Sequence, residues 1–216
     1  MALNKSKGNM YPWISHTWNV IKGKCPHDCD YCYMKRYPQP ELHFDEKELK
    51  TNLGSGNTIF VGSSCDMWAE VVKDIWIKEI LLYCYDFNNR YLFQSKNPAR
   101  FYGCLFPDDV ILGTTIETNR LYANISKAPS PWQRFSAMID IRLPKMCSIE
   151  PIMDFDLDVM VEFIRLIKPE FVSIGADSKG YGLPEPPAEK VRDLMAALKE
   201  ITEVKVKSNL KRLGGV

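Results

Sequence analysis

An α/β architecture, an open partial (β/α)6 barrel with outer helices, is what the residue pattern points to. Seven short β-rich runs recur along the chain, and helix-compatible segments lie between them. Alternation of this kind implies βαβ units, a parallel sheet and right-handed crossovers. A closed eight-unit barrel typically needs about 250 residues. The 216 residues here offer only six or seven units, so the sheet stays open. No membrane-length apolar run, solenoid repeat or low-complexity segment competes with this reading. A single domain over 1–216 is expected, with its core at about 13–180 and a C-terminal helix and basic tail at 181–216.

The strands are expected at Thr17–Ile21, Thr58–Val61, Tyr91–Gln94, Val110–Thr115, Met146–Ile149, Phe171–Ile174 and Glu203–Lys207. They are rich in Val, Ile, Phe and Thr, and Gly62 and Gly175 follow two of them directly. Among the helices, Asp45 with Glu48 forms a D-x-x-E capping pattern ahead of Leu49. Glu70–Tyr85 places Val72, Ile75, Glu79 and Leu82 on a three/four spacing. Ser130-Pro131 reads as N-cap and first turn of a helix through Trp132, Phe135 and Ile139. Asp154–Lys168 stacks Leu157, Val161, Ile164 and Ile167 until Pro169 stops it. Pro187–Ile201 repeats the pattern with Val191, Leu194, Leu198 and Ile201.

Composition is that of a globular protein, 45% hydrophobic and 25% charged. A net charge of +1 argues against coating nucleic acid by bulk electrostatics. Local asymmetry remains: residues 1–36 carry six Lys/Arg against two Asp, and 199–216 carry five against two Glu. The polar N-terminus lacks the apolar core of a signal peptide, so a cytoplasmic location is expected, that of the host if the protein is viral. Seven cysteines cannot pair completely within one chain, and reduced thiols are expected.

Three of those cysteines carry the chemistry. Cys25, Cys29 and Cys32, spaced C-x3-C-x2-C in the loop after the first strand, can converge on one soft metal centre. Two readings stand on the residues alone. A structural zinc site prefers four protein ligands, and a fourth would come from His27, His16, His43 or Cys65. A cubane iron–sulfur cluster on three thiolates leaves one iron open to a small molecule.

With Tyr31 just before the last cysteine, this motif resembles the cluster motif of the radical S-adenosylmethionine (SAM) superfamily. Further segments extend the resemblance: Val20–Tyr33, Ile59-Phe-Val-Gly-Ser-Ser-Cys-Asp66, Gln94-Ser-Lys-Asn-Pro98, Leu112-Gly-Thr-Thr-Ile-Glu117, Cys147-Ser-Ile-Glu-Pro151 and Ile174-Gly-Ala-Asp-Ser178. In order, they look like a phage-type group, long of unknown function, that is related to spore photoproduct lyase. The resemblance covers roughly residues 13–180 and implies a partial (β/α)6 barrel with its cofactors at the C-terminal strand ends.

It also implies roles. Cys25, Cys29 and Cys32 would hold a [4Fe–4S] cluster, whose open iron takes the amino and carboxylate groups of SAM; one electron then splits the sulfonium and releases a 5′-deoxyadenosyl radical. Tyr31 would lie beside the adenine. Gly62, Ser63 and Ser64 would meet the methionine amino group, a glycine permitting close backbone approach. Lys96 would pair with the SAM carboxylate, and Thr115 and Glu117 would hold the ribose, since a carboxylate can accept two hydrogen bonds from vicinal hydroxyls. Ser148 and Glu150 are further cofactor candidates, Glu150 reading equally as a buried acceptor. Asp177 and Ser178 either face the substrate or begin a turn. Cys65 departs from the related sequences; it reads as a hydrogen-atom donor or as a small buried cysteine.

The expected activity is a radical SAM enzyme of isomerase or lyase type. Its substrate is expected to be a modified pyrimidine or thymine in viral DNA. Trp13, Trp18, Lys22, Lys24, Tyr33, Lys35, Arg36 and Tyr37, with the basic tail, would stack on bases and meet phosphates. An electron donor of flavodoxin or ferredoxin type is the implied partner, and no membrane is involved. A peptide or small-metabolite substrate, and a non-catalytic zinc-binding module, are the alternatives.

Overall fold

The protein is described by a computed structural model over residues 3–7, 10–122 and 124–214. In chain order its elements are β1 (Asn4–Lys5), β2 (His16–Trp18), β3 (Ile21–Lys22), β4 (His43–Phe44), β5 (Thr58–Val61), α1 (Asp74–Tyr85), β6 (Arg90–Ser95), β7 (Val110–Thr115), α2 (Pro131–Ile139), β8 (Lys145–Ile149), α3 (Leu157–Ile167), β9 (Phe171–Ile174), α4 (Ala188–Lys199) and β10 (Glu203–Val206). Eight strands form one sheet in the order β1-β2-β5-β6-β7-β8-β9-β10. From β2 onward every neighbouring pair is parallel; β1 alone runs antiparallel, at the edge beside β2. The architecture is therefore α/β, a mostly parallel open sheet with helices.

Alternation of side chains along each strand divides the sheet into two faces. Outward residues such as Val61, Tyr91, Leu112, Cys147 and Val172 join Ile80, Met138, Ile164 and Leu194 from the helices in one large core. Inward residues Leu92, Ile111, Met146 and Phe171 form a second, smaller core with Tyr11 and Ile14. The segment before β2 thus fills the concave side of the sheet from below. Trp13 packs edge-on to Phe171 and stacks on Tyr11. Above this apolar layer the same inward positions turn polar: Gln94, Thr115 and Ser148.

Several expected elements move. The run at Thr17–Ile21 is two strands: β2 ends at Trp18, and Ile21 leaves the main sheet to pair with Phe44 in a separate antiparallel β3–β4 pair. Asp45 and Glu48 do not cap an α-helix. They belong to a short 3-10 turn at Glu46–Lys50, where the Asp45 carboxylate accepts from Lys47 N at 3.2 Å. The crossover from β6 to β7 carries only another such turn, Pro98–Phe101. α1 starts at Asp74, and its buried face is Ile77, Ile80, Leu81 and Cys84. Ile75 and Leu82, read as part of the inner stripe, are more than half exposed. α1 is apolar around much of its circumference, so a three/four stripe can be drawn down either side and only packing selects one. Trp132 and Ile139 on α2 are also partly exposed, whereas the Ser130 N-cap forms, reciprocated by Gln133. β10 joins β9 in parallel, as the last β-rich run suggested.

Candidate active site

The three clustered cysteines line a cavity of about 590 Å³ that opens at the C-terminal ends of the parallel strands. Gly62, Ser63, Ser64 and Cys65 after β5, Lys96 after β6, Thr115 ending β7, Glu150 after β8, and Asp177 and Ser178 after β9 line the same space. The cysteine loop is held without a regular element of its own. Cys29 Sγ lies 3.1 Å from Ser126 Oγ, and Lys127 N donates to His27 O at 2.7 Å. His27 Nε2 meets the Asp66 carboxylate at 2.8 Å. Asp66 also accepts from Ser95 Oγ, Lys96 N and Trp68 N, each at 2.9 Å. Burial would raise the Asp66 carboxyl, but His27 and these donors bring it below its ordinary value. Asp66 therefore ties the cysteine loop to the ends of β5 and β6.

Among the described residues no three His, Cys, Asp or Glu side chains converge as a single-ion site requires. His27, considered as a fourth ligand, has its Nε2 at Asp66. Cys25, Cys29 and Cys32 all line the one cavity. Cys65 is buried and hydrogen-bonded to Cys25, which lowers the Cys25 thiol and raises its own. Cys65 thus sits at the cysteine end of the cavity.

The turn after β5 follows from its sequence. Gly62 has φ +80°, which a glycine adopts without the Cβ penalty, and its N–H returns to Trp18 O at 2.9 Å. Asn19 Oδ1 then accepts from Ser64 N at 2.9 Å and Ser63 Oγ at 3.2 Å. The turn is thereby held where it lines the cavity together with the thiols.

Glu117 departs from the expected arrangement. Its side chain is 2% exposed and does not line the cavity; both its oxygens are occupied. Tyr31 OH and Lys96 Nζ both donate to Oε1, and Arg134 Nη1 donates to Oε2 at 2.6 Å. Lys96 Nζ also lies 5.0 Å over the Tyr31 ring. Burial would raise the Glu117 carboxyl; Arg134 and then Lys96 overcome this and hold it at about 2. Burial and the Glu117 charge push the Tyr31 phenol well above its usual range.

The floor of the cavity is a second polar layer. Tyr11 OH lies 3.0 Å from Gln94 Oε1 and 2.9 Å from Ser148 Oγ, and Gln94 Nε2 donates to Thr115 Oγ1 at 3.0 Å. Ser148 is engaged beneath the cavity and does not line it. Glu150 pairs with Lys207 at 2.7 Å, and Lys207 Nζ stands 4.5 Å over the Tyr11 ring. Asp66, Arg134, Asn19, Tyr11 and Lys207 were not anticipated as part of this site. Asp66 did lie within a quoted motif, and the alternation Gln94/Lys96, Thr115/Glu117, Ser148/Glu150 marks the inward face.

Several residues expected to meet nucleic acid are used elsewhere. Trp18 is fully buried and donates to Glu48 O, and Lys22 pairs with Asp45 and Glu48. The tail is no free arm, because Leu210 is buried, Lys205 covers Phe171, and Arg212 pairs with Glu185 and donates to Asp177 O at 2.7 Å. Lys35 pairs with Asp28 and Asp30; Tyr33 and Tyr37, which line the cavity, are exposed, as are Lys24 and Arg36. Among the described residues no helix is long and apolar enough to cross a membrane.

No protein-family model and no curated protein matches the chain. Among solved structures, a single-site mutant of spore photoproduct lyase superposes with a TM-score of 0.67 at 10% identity, over 95% of this chain and 80% of that one. A double mutant of that lyase with bound AdoMet and dinucleoside spore photoproduct gives 0.57 at 10% identity, over 93% and 66%. SuiB of Streptococcus suis gives 0.55 at 11% identity, over 88% of this chain and 48% of its own. At such identities the likeness concerns architecture: the chain has the fold of the radical SAM enzyme spore photoproduct lyase.

Proposed function

We propose that the protein is a radical SAM enzyme that uses a [4Fe–4S] cluster on Cys25, Cys29 and Cys32 and isomerises or otherwise modifies a modified pyrimidine of viral DNA. The observation that carries the reading is the gathering of all three thiols with the Gly62–Ser64 turn and Lys96 in one cavity at the strand ends. Those three thiolates would hold the cluster, which would supply the one electron needed to cleave the sulfonium of SAM into methionine and a 5′-deoxyadenosyl radical able to take a hydrogen atom from substrate.

The chain's own residues have definable tasks in this reading. Lys96 presents a cation to the cavity wall for a carboxylate, and the Tyr31 ring beside it offers an apolar face to an adenine. The backbone carbonyls and hydroxyls at Gly62–Ser64 accept hydrogen bonds from an ammonium group. Thr115 offers a hydroxyl at the cavity wall, and the layer beneath it, from Tyr11 to Ser148, closes the floor against water. Glu150 and Asp177 face the space left for substrate.

The DNA substrate rests on three supports. They are the resemblance to the phage-type group, the dinucleoside carried by a structural neighbour of the same fold, and the exposed Tyr33 and Tyr37 lining the cavity, with Lys24 and Arg36 exposed on the same segment. A flavodoxin- or ferredoxin-type protein is the proposed electron donor.

Anaerobic reconstitution with iron and sulfide, followed by dithionite and SAM, tests the proposal. About four irons per chain and 5′-deoxyadenosine are expected, both lost in Cys29→Ala. Zinc without iron or sulfide after oxygen-free purification would overturn it. Product from free nucleosides or peptides, without DNA binding at low salt, would move the substrate to the alternative class.

A further inference from the structure

The resemblance gives Glu117 the ribose of SAM; the geometry gives it other work. Its carboxylate lies behind the cavity wall, and the two residues that donate to its Oε1, Tyr31 and Lys96, are the ones that reach the cavity. Its other oxygen is held by Arg134, whose Nη1 also donates to Thr115 O at 2.8 Å and whose Nε donates to Pro129 O at 2.7 Å. The guanidinium is thus anchored to backbone at both ends of its reach. To meet a ribose, Glu117 would have to release Tyr31 or Lys96 and pass between them.

We propose that Glu117, seated on Arg134, is a positioning residue that sets Tyr31 and Lys96 as one unit and does not itself bind the nucleoside. The proposal rests on the reading of this cavity as a SAM site and refines it. One carboxylate spans the cysteine loop, through Tyr31, and the end of β6, through Lys96. Order at the thiols and order at the cation are therefore linked. Two cations against one carboxylate leave this wall net positive, suited to the carboxylate of an amino acid rather than to hydroxyls.

Two measurements test it. Calorimetry of the reconstituted protein compares S-adenosylhomocysteine with its 2′-deoxy counterpart, for the wild type and Glu117→Gln. A positioning role predicts that the substitution weakens both ligands by the same factor, about 10–100-fold. A loss confined to the ligand that carries the 2′-hydroxyl would overturn the proposal. The second is a ligand-free urea double-mutant cycle between Tyr31→Phe, which keeps the ring, and Lys96→Gln. Coupling of about threefold or more in the unfolding constant is expected, since the phenol and the ammonium share one carboxylate. Strict additivity would overturn it. If the wild type takes up neither ligand, the SAM reading falls, and the cycle alone decides whether Glu117 couples its two donors.

Discussion

Replacing Arg134 by Met removes the largest attraction acting on Glu117 and leaves a carboxylate buried at 2% exposure. Two lines of reasoning set the size of the effect. Breaking a buried ion pair by deleting one partner costs about 3–5 kcal/mol. Independently, the fall of the Glu117 carboxyl from 4.5 to about 2 corresponds to about 3 kcal/mol of stability. Because the folded-state value is depressed, that stability is fully present above about pH 4.5 and is lost as pH falls toward 2. About 2 of the 3 kcal/mol are gone by pH 3. Urea unfolding followed by tryptophan fluorescence should place Arg134→Met about 3–5 kcal/mol below the wild type at pH 7. The gap should narrow by about 2 kcal/mol at pH 3, toward the share owed to Thr115 O and Pro129 O, which lose their donor at any pH. A difference under about 1 kcal/mol at pH 7, or a gap unchanged at pH 3, would refute the argument.

Three smaller perturbations probe other levels of the structure. His27→Leu removes the 2.8 Å contact to Asp66 and should weaken iron retention against a chelator by about tenfold, with far-UV circular dichroism unchanged. In Gly113→Ala the new Cβ would stand 2.8 Å from Met146 Sδ and 3.2 Å from Gln94 Cβ. Overpacking of that kind should cost about 1–3 kcal/mol in urea unfolding. Ser130→Ala deletes one half of the α2 capping box and should cost about 1 kcal/mol, an effect Ser130→Asn should largely avoid.

The outward half of the fold was legible because local pattern determines it. Thr58–Val61, Val110–Thr115 and Phe171–Ile174 are β-branched and aromatic runs long enough for one strand each, and they appear at those bounds. Ser130-Pro131 starts a helix because its cap bonds close within three residues. The convergence of the three cysteines on one cavity was legible for the same reason, since all three thiols lie on one short loop. What escaped reading depends on residues far apart in the chain. Tyr31 and Glu117 are 86 positions apart, and Tyr11 and Ser148 are 137 apart. Lys96 appeared as a lone cation because its partner enters from the next strand. Trp13 and Trp18 appeared as stacking platforms because nothing local shows that one plugs the concave face and the other packs under Glu48. The face of α1 escaped because its apolar residues satisfy two stripes, and the strand beneath it chooses between them.

The phenol at position 11 has one further consequence. Its ring belongs to the dry packing below, while its oxygen belongs to the wet chamber above, so a single side chain marks where oil ends and water begins. The depth available to a guest molecule is therefore set by a residue that precedes the main parallel strands, and a shorter group there would lower the floor while every loop around the rim kept its place.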